Sequence, residues 1–208
     1  MELDERERRA KLCIDQYGGI IPYVEAFYIH SIIYSASRCL DSFTRYEEIK
    51  NEKGVSADQL ISIIQEAVGH SAALSRYFWP SPQGKKKQPN LKHLKETRGE
   101  KLRMAFRIDE QSALYNRELR NAWEHFDERI DTYFLENDSG YFFPGCLLEN
   151  HNLADDSTGH IFKLLDIEAE CLVLLGLKYF FAPIKEAVQA VLDIALAADT
   201  NGARLQSP

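Results

Sequence analysis

The sequence predicts a mainly α-helical protein that carries a small β-hairpin and a final helix near its carboxyl end. Apolar residues recur at helical spacing from about residue 23 to residue 137. Beyond residue 137, turn-forming residues separate short apolar runs, a pattern typical of strands. We therefore expect one domain over 1–208, with a helical-bundle core at 23–137, a β-hairpin plus helix at 138–200, and a disordered tail at 201–208.

Capping and helix-breaking residues divide the amino-terminal part into elements. A short helix is predicted over 4–16 and a long apolar helix over 23–51. Ser56 and Gln59 have the spacing of a capping box, in which each side chain bonds the backbone N–H of the other residue. They predict the start of a third helix, which Pro80 ends.

Two more helices are predicted before residue 137. Residues 81–90 are rich in proline and lysine and are expected to form a loop. A helix follows over 91–107, and Gly99 is expected to interrupt or weaken it. The last and most informative helix is predicted as one continuous run over 112–137.

The carboxyl-terminal part changes character. The apolar runs 160–165 and 170–175 flank a turn and predict a hairpin, with 146–149 as a candidate third strand. Pro183 stands where a final helix can begin. The buried stripe of that helix is predicted to comprise Ile184, Val188, Val191, Leu192 and Ala195.

The helix predicted over 112–137 carries the residues with useful chemistry. Arg120, Asn121 and His125 place a permanent cation, an amide and a titratable imidazole within two turns. Such a set can hold a phosphodiester and move a proton. On a helical wheel the apolar face is predicted to hold Leu119, Ala122, Trp123, Phe126, Ile130 and Tyr133. The polar face is predicted to hold Arg117, Arg120, Asn121, Glu124, His125, Glu128 and Thr132.

A simpler interpretation of this motif stays open. Arg120 and Glu124 are four residues apart, as are Asn121 and His125, and such pairs commonly decorate a solvated helix face. An Arg followed at this spacing by a His is also expected about once by chance in a chain of this composition.

Arg120-Asn121-x-x-x-His125 on a late helix of an all-α bundle resembles the signature of the HEPN superfamily, which is Arg-x(4–6)-His. The resemblance covers roughly residues 24–137. Many HEPN proteins are metal-independent ribonucleases, and several are toxins of toxin–antitoxin, abortive-infection or CRISPR systems. It implies an endoribonuclease that needs no cofactor and no metal, with an RNA substrate and an antitoxin protein among its partners.

The resemblance also implies roles for individual residues. Arg120 would bind the scissile phosphate, His125 would act as general acid or base, and Asn121 would orient His125 or contact phosphate. Glu124 would either position Arg120 or neutralise it, and neutralisation is the more economical role. Cleavage would leave a 2′,3′-cyclic phosphate and a 5′-hydroxyl.

A basic segment offers further substrate contacts. Residues 85–107 are distinctly cationic, and Lys101 and Arg103 lie within them. Together with Arg117 and Glu124 of the motif region, they are the candidate substrate-binding residues. A solvated loop and helix face is the favoured alternative for this segment.

A homodimer is predicted because the chain contains one match to Arg-x(4–6)-His, whereas a HEPN site uses two. In a continuous helix Arg120 and His125 would also lie about 140° apart, so one helix could not easily bring both to one phosphate. A two-fold axis would repeat both groups across a shared cleft. The alternative function is a non-catalytic HEPN-like interaction or ligand-binding protein.

Composition narrows the remaining classes. The net charge of −7 argues against broad, nonspecific nucleic-acid binding. No apolar run suggests a membrane span and the charged amino terminus suggests no signal peptide, so we expect a cytoplasmic protein. The four cysteines are scattered and are expected to be reduced. His151 and His160 flank an acidic loop, for which a polar surface is favoured over a metal site.

Overall fold

The computed structural model describes residues 2–81 and 88–206. The chain forms two compact units, and helices α2, α3 and α7 contribute residues to both. The first unit comprises Met1–Ser37, Ser71–Tyr115 and Ala187–Pro208, and the second comprises Arg38–His70 and Asn116–Glu186. The helices are α1 Leu3–Tyr17, α2 Glu25–Ile49, α3 Ala57–Phe78, α4 Pro89–Phe106, α5 Glu118–Glu124, α6 Phe126–Glu136 and α7 Ala182–Thr200.

The capping box at the start of α3 is confirmed. The Ser56 N–H donates to Gln59 Oε1 at 3.1 Å, and the Gln59 N–H donates to Ser56 Oγ at 3.3 Å. Helix α3 then ends at Phe78, two residues before Pro80. The predicted loop at 81–90 is cut short by α4, which begins at Pro89, and residues 82–87 lie outside the described part.

Gly99 does not interrupt α4, which runs through it to Phe106. A Cβ atom added at Gly99 would lie 2.7 Å from the carbonyl oxygen of Phe78 and 2.8 Å from Cδ of Pro80. Glycine is therefore required here because the end of α3 approaches the backbone of α4 closely.

The prediction of one continuous helix over 112–137 is wrong at its start. Between residues 109 and 118, short polar side chains accept hydrogen bonds from backbone N–H groups two residues further on. Asp109 Oδ1 accepts the Gln111 N–H, Ser112 Oγ accepts the Leu114 N–H, and Asn116 Oδ1 accepts the Glu118 N–H. Short polar side chains compete with helical hydrogen bonds in this way. The first helical residue is consequently Glu118.

The carboxyl-terminal part of the second unit forms a four-stranded sheet in the order β1-β2-β3-β4. Strands β1 and β2 are parallel, and the β2–β3 and β3–β4 pairs are antiparallel. The strands are β1 Tyr141–Leu148, β2 Gly159–Asp166, β3 Cys171–Leu174 and β4 Leu177–Phe180.

The predicted hairpin is confirmed as β2–β3, and the candidate third strand lies mostly within the longer β1. The run 170–175 was the last strand predicted from the sequence, but a further strand follows it. Leu175 and Gly176 have φ angles of 49° and 76°, so the chain turns there and returns as β4. Gly176 is the single turn-forming residue between the two strands, and the sequence analysis did not assign a turn to it.

Apolar packing holds each unit together. In the second unit, Phe181 stacks on Phe43 with ring centres 6.0 Å apart and meets Tyr46 edge-on at 5.7 Å. In the first, the ring centres of Phe78 and Phe106 lie 5.3 Å apart.

The tail over 201–208 was expected to be disordered. In its described portion, 201–206, the Arg204 side chain donates a hydrogen bond to the carbonyl of Pro22, and the Leu205 N–H donates one to Glu25. These bonds hold the described portion against the rest of the first unit.

Within the described ranges, every helix is too short or too polar to cross a membrane.

Candidate active site

His125 lies at a break between α5 and α6, and no glycine or proline marks this break in the sequence. Its φ and ψ of −115° and 33° depart from helical values. Its N–H still donates to the carbonyl of Asn121 at 3.2 Å, and its own carbonyl accepts the Arg129 N–H at 3.0 Å. His125 therefore ends one helix and begins the next, and its side chain is 56% exposed.

The guanidinium of Arg120 is engaged within its own helix. Nη2 donates to Glu124 Oε2 at 2.7 Å, and the Arg120 side chain is only 16% exposed. Its Nε is buried and has no acceptor among the described residues. The side chain of Asn121, next to it, is exposed.

The break removes one argument for a composite site. The separation of about 140° between Arg120 and His125 assumed a continuous helix. Because α5 ends at Glu124, that angle no longer follows from ideal geometry. The second argument, a single Arg-x(4–6)-His match in the chain, is unaffected.

His125 is one of the residues that line a groove of about 340 Å³ in the second unit. Its helical lining residues recur three and four apart, so they share one face of α6. The groove is lined by His125, Glu128, Arg129, Thr132, Tyr133, Glu136, Leu175 and Leu177. The α6 contribution could have been found from helical spacing, but Leu175 lies in the turn before β4 and Leu177 is the first residue of β4, and the sequence analysis missed both the turn and the strand.

Tyr133 ties this groove to a buried histidine. His160 Nε2 lies 2.7 Å from the carbonyl oxygen of Ser139, which can only accept, so Nε2 carries the proton. The other ring nitrogen then accepts from the Tyr133 hydroxyl at 2.9 Å. Burial raises the pKa of Tyr133. The bond fixes the Tyr133 ring in the groove wall.

The sequence analysis did not identify Lys163, a cation that lies on the apolar side of the motif. The ammonium of Lys163, on β2, lies 5.8 Å from the ring centre of Trp123 and 5.0 Å from that of Phe126. The two rings flank the break at His125, so a cation–π cluster supports the end of α5 and the start of α6 together.

Two of the predicted substrate-binding residues, Lys101 and Arg103, lie in the first unit and not in the unit that holds Arg120 and His125. The Lys101 ammonium donates to the carbonyls of Tyr17 and Ile20 and to Glu25 Oε1 at 2.8 Å. Arg103 donates to the carbonyl of Phe78. Both lie in the first unit, whereas Arg117 directly precedes α5 in the second; Lys85–Lys87 lie outside the described residues.

The acidic loop with two histidines is organised by hydrogen bonds. Asp166 accepts from the Nδ1–H of His151 at 2.7 Å and from the His151 backbone N–H at 2.9 Å. His160 is turned toward Tyr133 instead. Across the described ranges, no three His, Cys, Asp or Glu side chains gather as a metal-binding group.

A scan against protein-family models found no match, and searches of curated proteins and of solved structures found no significant match either. Function is therefore inferred from the geometry and chemistry of the side chains.

Proposed function

We propose that the protein is a metal-independent RNA endonuclease whose site is assembled from Arg120, Asn121 and His125 of two subunits. The observation that carries the proposal is the position of His125, which is half-exposed at a helix junction and opens on a groove. A general base must reach its substrate from such a position. Arg120, one turn earlier in the chain, provides a permanent positive charge for a phosphate.

The proposed reaction is an internal phosphoryl transfer. His125 takes the proton of the ribose 2′-hydroxyl, the 2′-oxygen bonds to phosphorus, and the bond from phosphorus to the 5′-oxygen breaks. The leaving 5′-oxygen takes up a proton from water, and His125 afterwards returns its proton to the solvent. Arg120 stabilises the charge on the non-bridging oxygens. The products are a 2′,3′-cyclic phosphate and a 5′-hydroxyl.

Under this proposal, Arg120 can bind a substrate phosphate only when its ion pair with Glu124 is broken or weakened. In the isolated chain the carboxylate of Glu124 neutralises part of the guanidinium charge. A phosphodiester would have to compete with this ion pair, which is half-exposed on the Glu124 side and therefore weakly held. Glu124 accordingly lowers affinity for RNA until a substrate phosphate displaces it.

The test is cleavage of a mixed RNA pool by the pure protein with EDTA present. Wild type should cleave, and His125→Ala should not, while its circular dichroism spectrum is unchanged because an exposed side chain contributes little to stability. The matched control is His93→Ala, since His93 is also an exposed histidine on a helix. Absence of wild-type cleavage, or equal cleavage by His125→Ala, would contradict the proposal. Membership of a toxin–antitoxin system stays a prediction from the resemblance alone.

The alternative, a non-catalytic interaction protein, is favoured by the low exposure of Arg120 and its ion pair with Glu124. In that case Arg120 is structural, and its loss should reduce stability without affecting any RNA. The cleavage experiment separates the two functions.

A further inference from the structure

Large aromatic side chains are exposed at the start of α2 in the first unit. Tyr23, just before the helix, and Phe27 are each 71% exposed, and Tyr34 is 64% exposed. Phe27 and Tyr34 are seven residues apart, so they project from the same side about 10 Å from each other. Single exposed apolar residues are ordinary, but a cluster of aromatic rings on one helix face marks an interaction surface.

The rings of Phe27 and Tyr34 line a groove of about 700 Å³. Small side chains contribute much of its lining, and Tyr77 of α3 contributes another wall. The lining, which we term the α2 aromatic face, comprises Ala26, Phe27, His30, Ser31, Tyr34, Ser35 and Tyr77. Residues 26–37 include no Asp, Glu, Lys or Arg, and His30 Nε2 lies 3.3 Å from Asp199 Oδ1.

We propose that the α2 aromatic face docks onto the same face of a second copy of this chain. A two-fold axis brings a surface against itself, so every charge on it would meet its own copy. The lining includes no Asp, Glu, Lys or Arg, and the imidazole of His30 lies beside Asp199, so the face limits that repulsion although the chain carries a net charge of −7. A nucleic acid would instead need cations along the face to meet its phosphates.

The spacing of large and small residues supports self-docking. With the axis through Ser31 and the two α2 helices antiparallel, Phe27 stands opposite Ser35 of the partner subunit, four residues away on either side of the axis. The symmetry repeats this pairing, so each of the two Phe27 rings meets a small residue in the opposing groove. Ser31 at the axis allows the two helices to approach to the usual 8–10 Å.

Charge substitution tests the docking surface. Phe27→Glu with Tyr34→Glu buries carboxylates against their copies, so light scattering at micromolar concentration should fall from twice the 23.9 kDa chain mass to one. The control is Met104→Glu, because Met104 is an exposed apolar residue on α4, outside the face. This control should stay dimeric. A monomeric wild type, or a dimeric double variant, overturns the proposal.

A second variant tests the position of the axis without introducing charge. Ser31→Cys should form an interchain disulfide under mild oxidation, since the axis would bring the two α-carbons within the roughly 7 Å that a disulfide spans. Ser62→Cys, at an exposed position of α3, and the unsubstituted protein control for random crosslinking and for the native cysteines. Failure of Ser31→Cys to crosslink above both controls overturns the axis through Ser31.

The docking face lies in the first unit and the candidate site in the second, so the two proposals stand separately, and mass and RNA cleavage report on each of them. A charge variant that is monomeric but still cleaves RNA contradicts the composite site and leaves the docking face standing. A dimeric wild type that cleaves no RNA contradicts the nuclease and likewise leaves the face standing.

Discussion

Arg120 Nη2 and Glu124 Oε2 are joined by a 2.7 Å hydrogen bond between positions four apart on α5. This is the favourable spacing for an ion pair along a helix, and it holds the guanidinium of the candidate site against a carboxylate of the same chain. The pair predicts how the site responds when the carboxylate is removed.

Glu124→Gln should bind and cleave RNA better than wild type at low salt. The amide keeps an acceptor for Arg120 but removes the negative charge that opposes a phosphate. Because the Glu124 side chain is half-exposed, the change in unfolding free energy should stay below about 1 kcal/mol. Fluorescence anisotropy with labelled RNA measures affinity, and Glu48→Gln, an exposed carboxyl on α2, is the control. Weaker binding by Glu124→Gln would show that the carboxylate orients Arg120 instead.

Mixing two inactive subunits tests the composite site directly. Arg120→Ala retains His125, and His125→Ala retains Arg120. If a site combines the Arg of one subunit with the His of the other, refolding the two variants together should restore about a quarter of wild-type cleavage, because half the dimers are mixed and each has one intact site. Each variant alone should be inactive. No recovery on mixing, with mixed dimers demonstrated by differently tagged chains, argues against shared sites.

The helices were largely predictable because their signals are local. The capping box of Ser56 and Gln59 involves residues three apart and needs no tertiary contact to be recognised. The same is true of the hairpin β2–β3, whose two apolar runs flank a short turn. At these two places the sequence pattern and the structure agree, whereas over 109–118 local side-chain hydrogen bonds displaced the predicted helix.

The candidate site was less predictable because its shape depends on distant residues. The break at His125 has no glycine or proline, and Lys163, which contacts rings on both sides of the break, is far away in sequence. The groove needs Leu175, from the turn before β4, and Leu177, the first residue of β4, and the sequence analysis predicted neither the turn nor the strand. Helical periodicity placed the polar residues on α6 but could not reveal what lies opposite them.

Gly99→Ala should destabilise the protein, whereas Gly69→Ala should not. The new methyl group at 99 would lie under 3 Å from backbone and proline atoms, and such overpacking costs about 1–3 kcal/mol. Gly69 is an exposed residue of α3, and a Cβ there meets no atom within 4 Å. Alanine at position 69 should raise the free energy of unfolding by about 0.5–1 kcal/mol, because alanine has a higher helix propensity than glycine. Urea denaturation of both variants measures the difference. Equal stabilities would mean that α4 can move away from Phe78 at little cost.

Asp166 should make the protein sensitive to acid. Burial of this carboxyl opposes ionisation, but hydrogen bonds from the Ala169 N–H and from the backbone and ring of His151 outweigh it and lower the pKa to about 2. An unfolded Asp has a pKa near 3.9, so the stabilisation is full above that value and is lost as the pH falls from about 4 to about 2. The lowered pKa corresponds to at most about 3 kcal/mol of unfolding free energy.

Asp166→Asn cannot titrate in this window. Its unfolding free energy should be lower than that of wild type at pH 7, and the gap should narrow as the pH approaches 2. Urea denaturation at pH 7, 4 and 2.5 measures both proteins, and Asp131→Asn, an exposed carboxyl on α6, should leave the acid sensitivity unchanged. A gap that stays constant across these pH values would mean that Asp166 binds its proton equally well folded and unfolded. The hydrogen bonds at His151 and Ala169 would then not favour the ionised carboxylate.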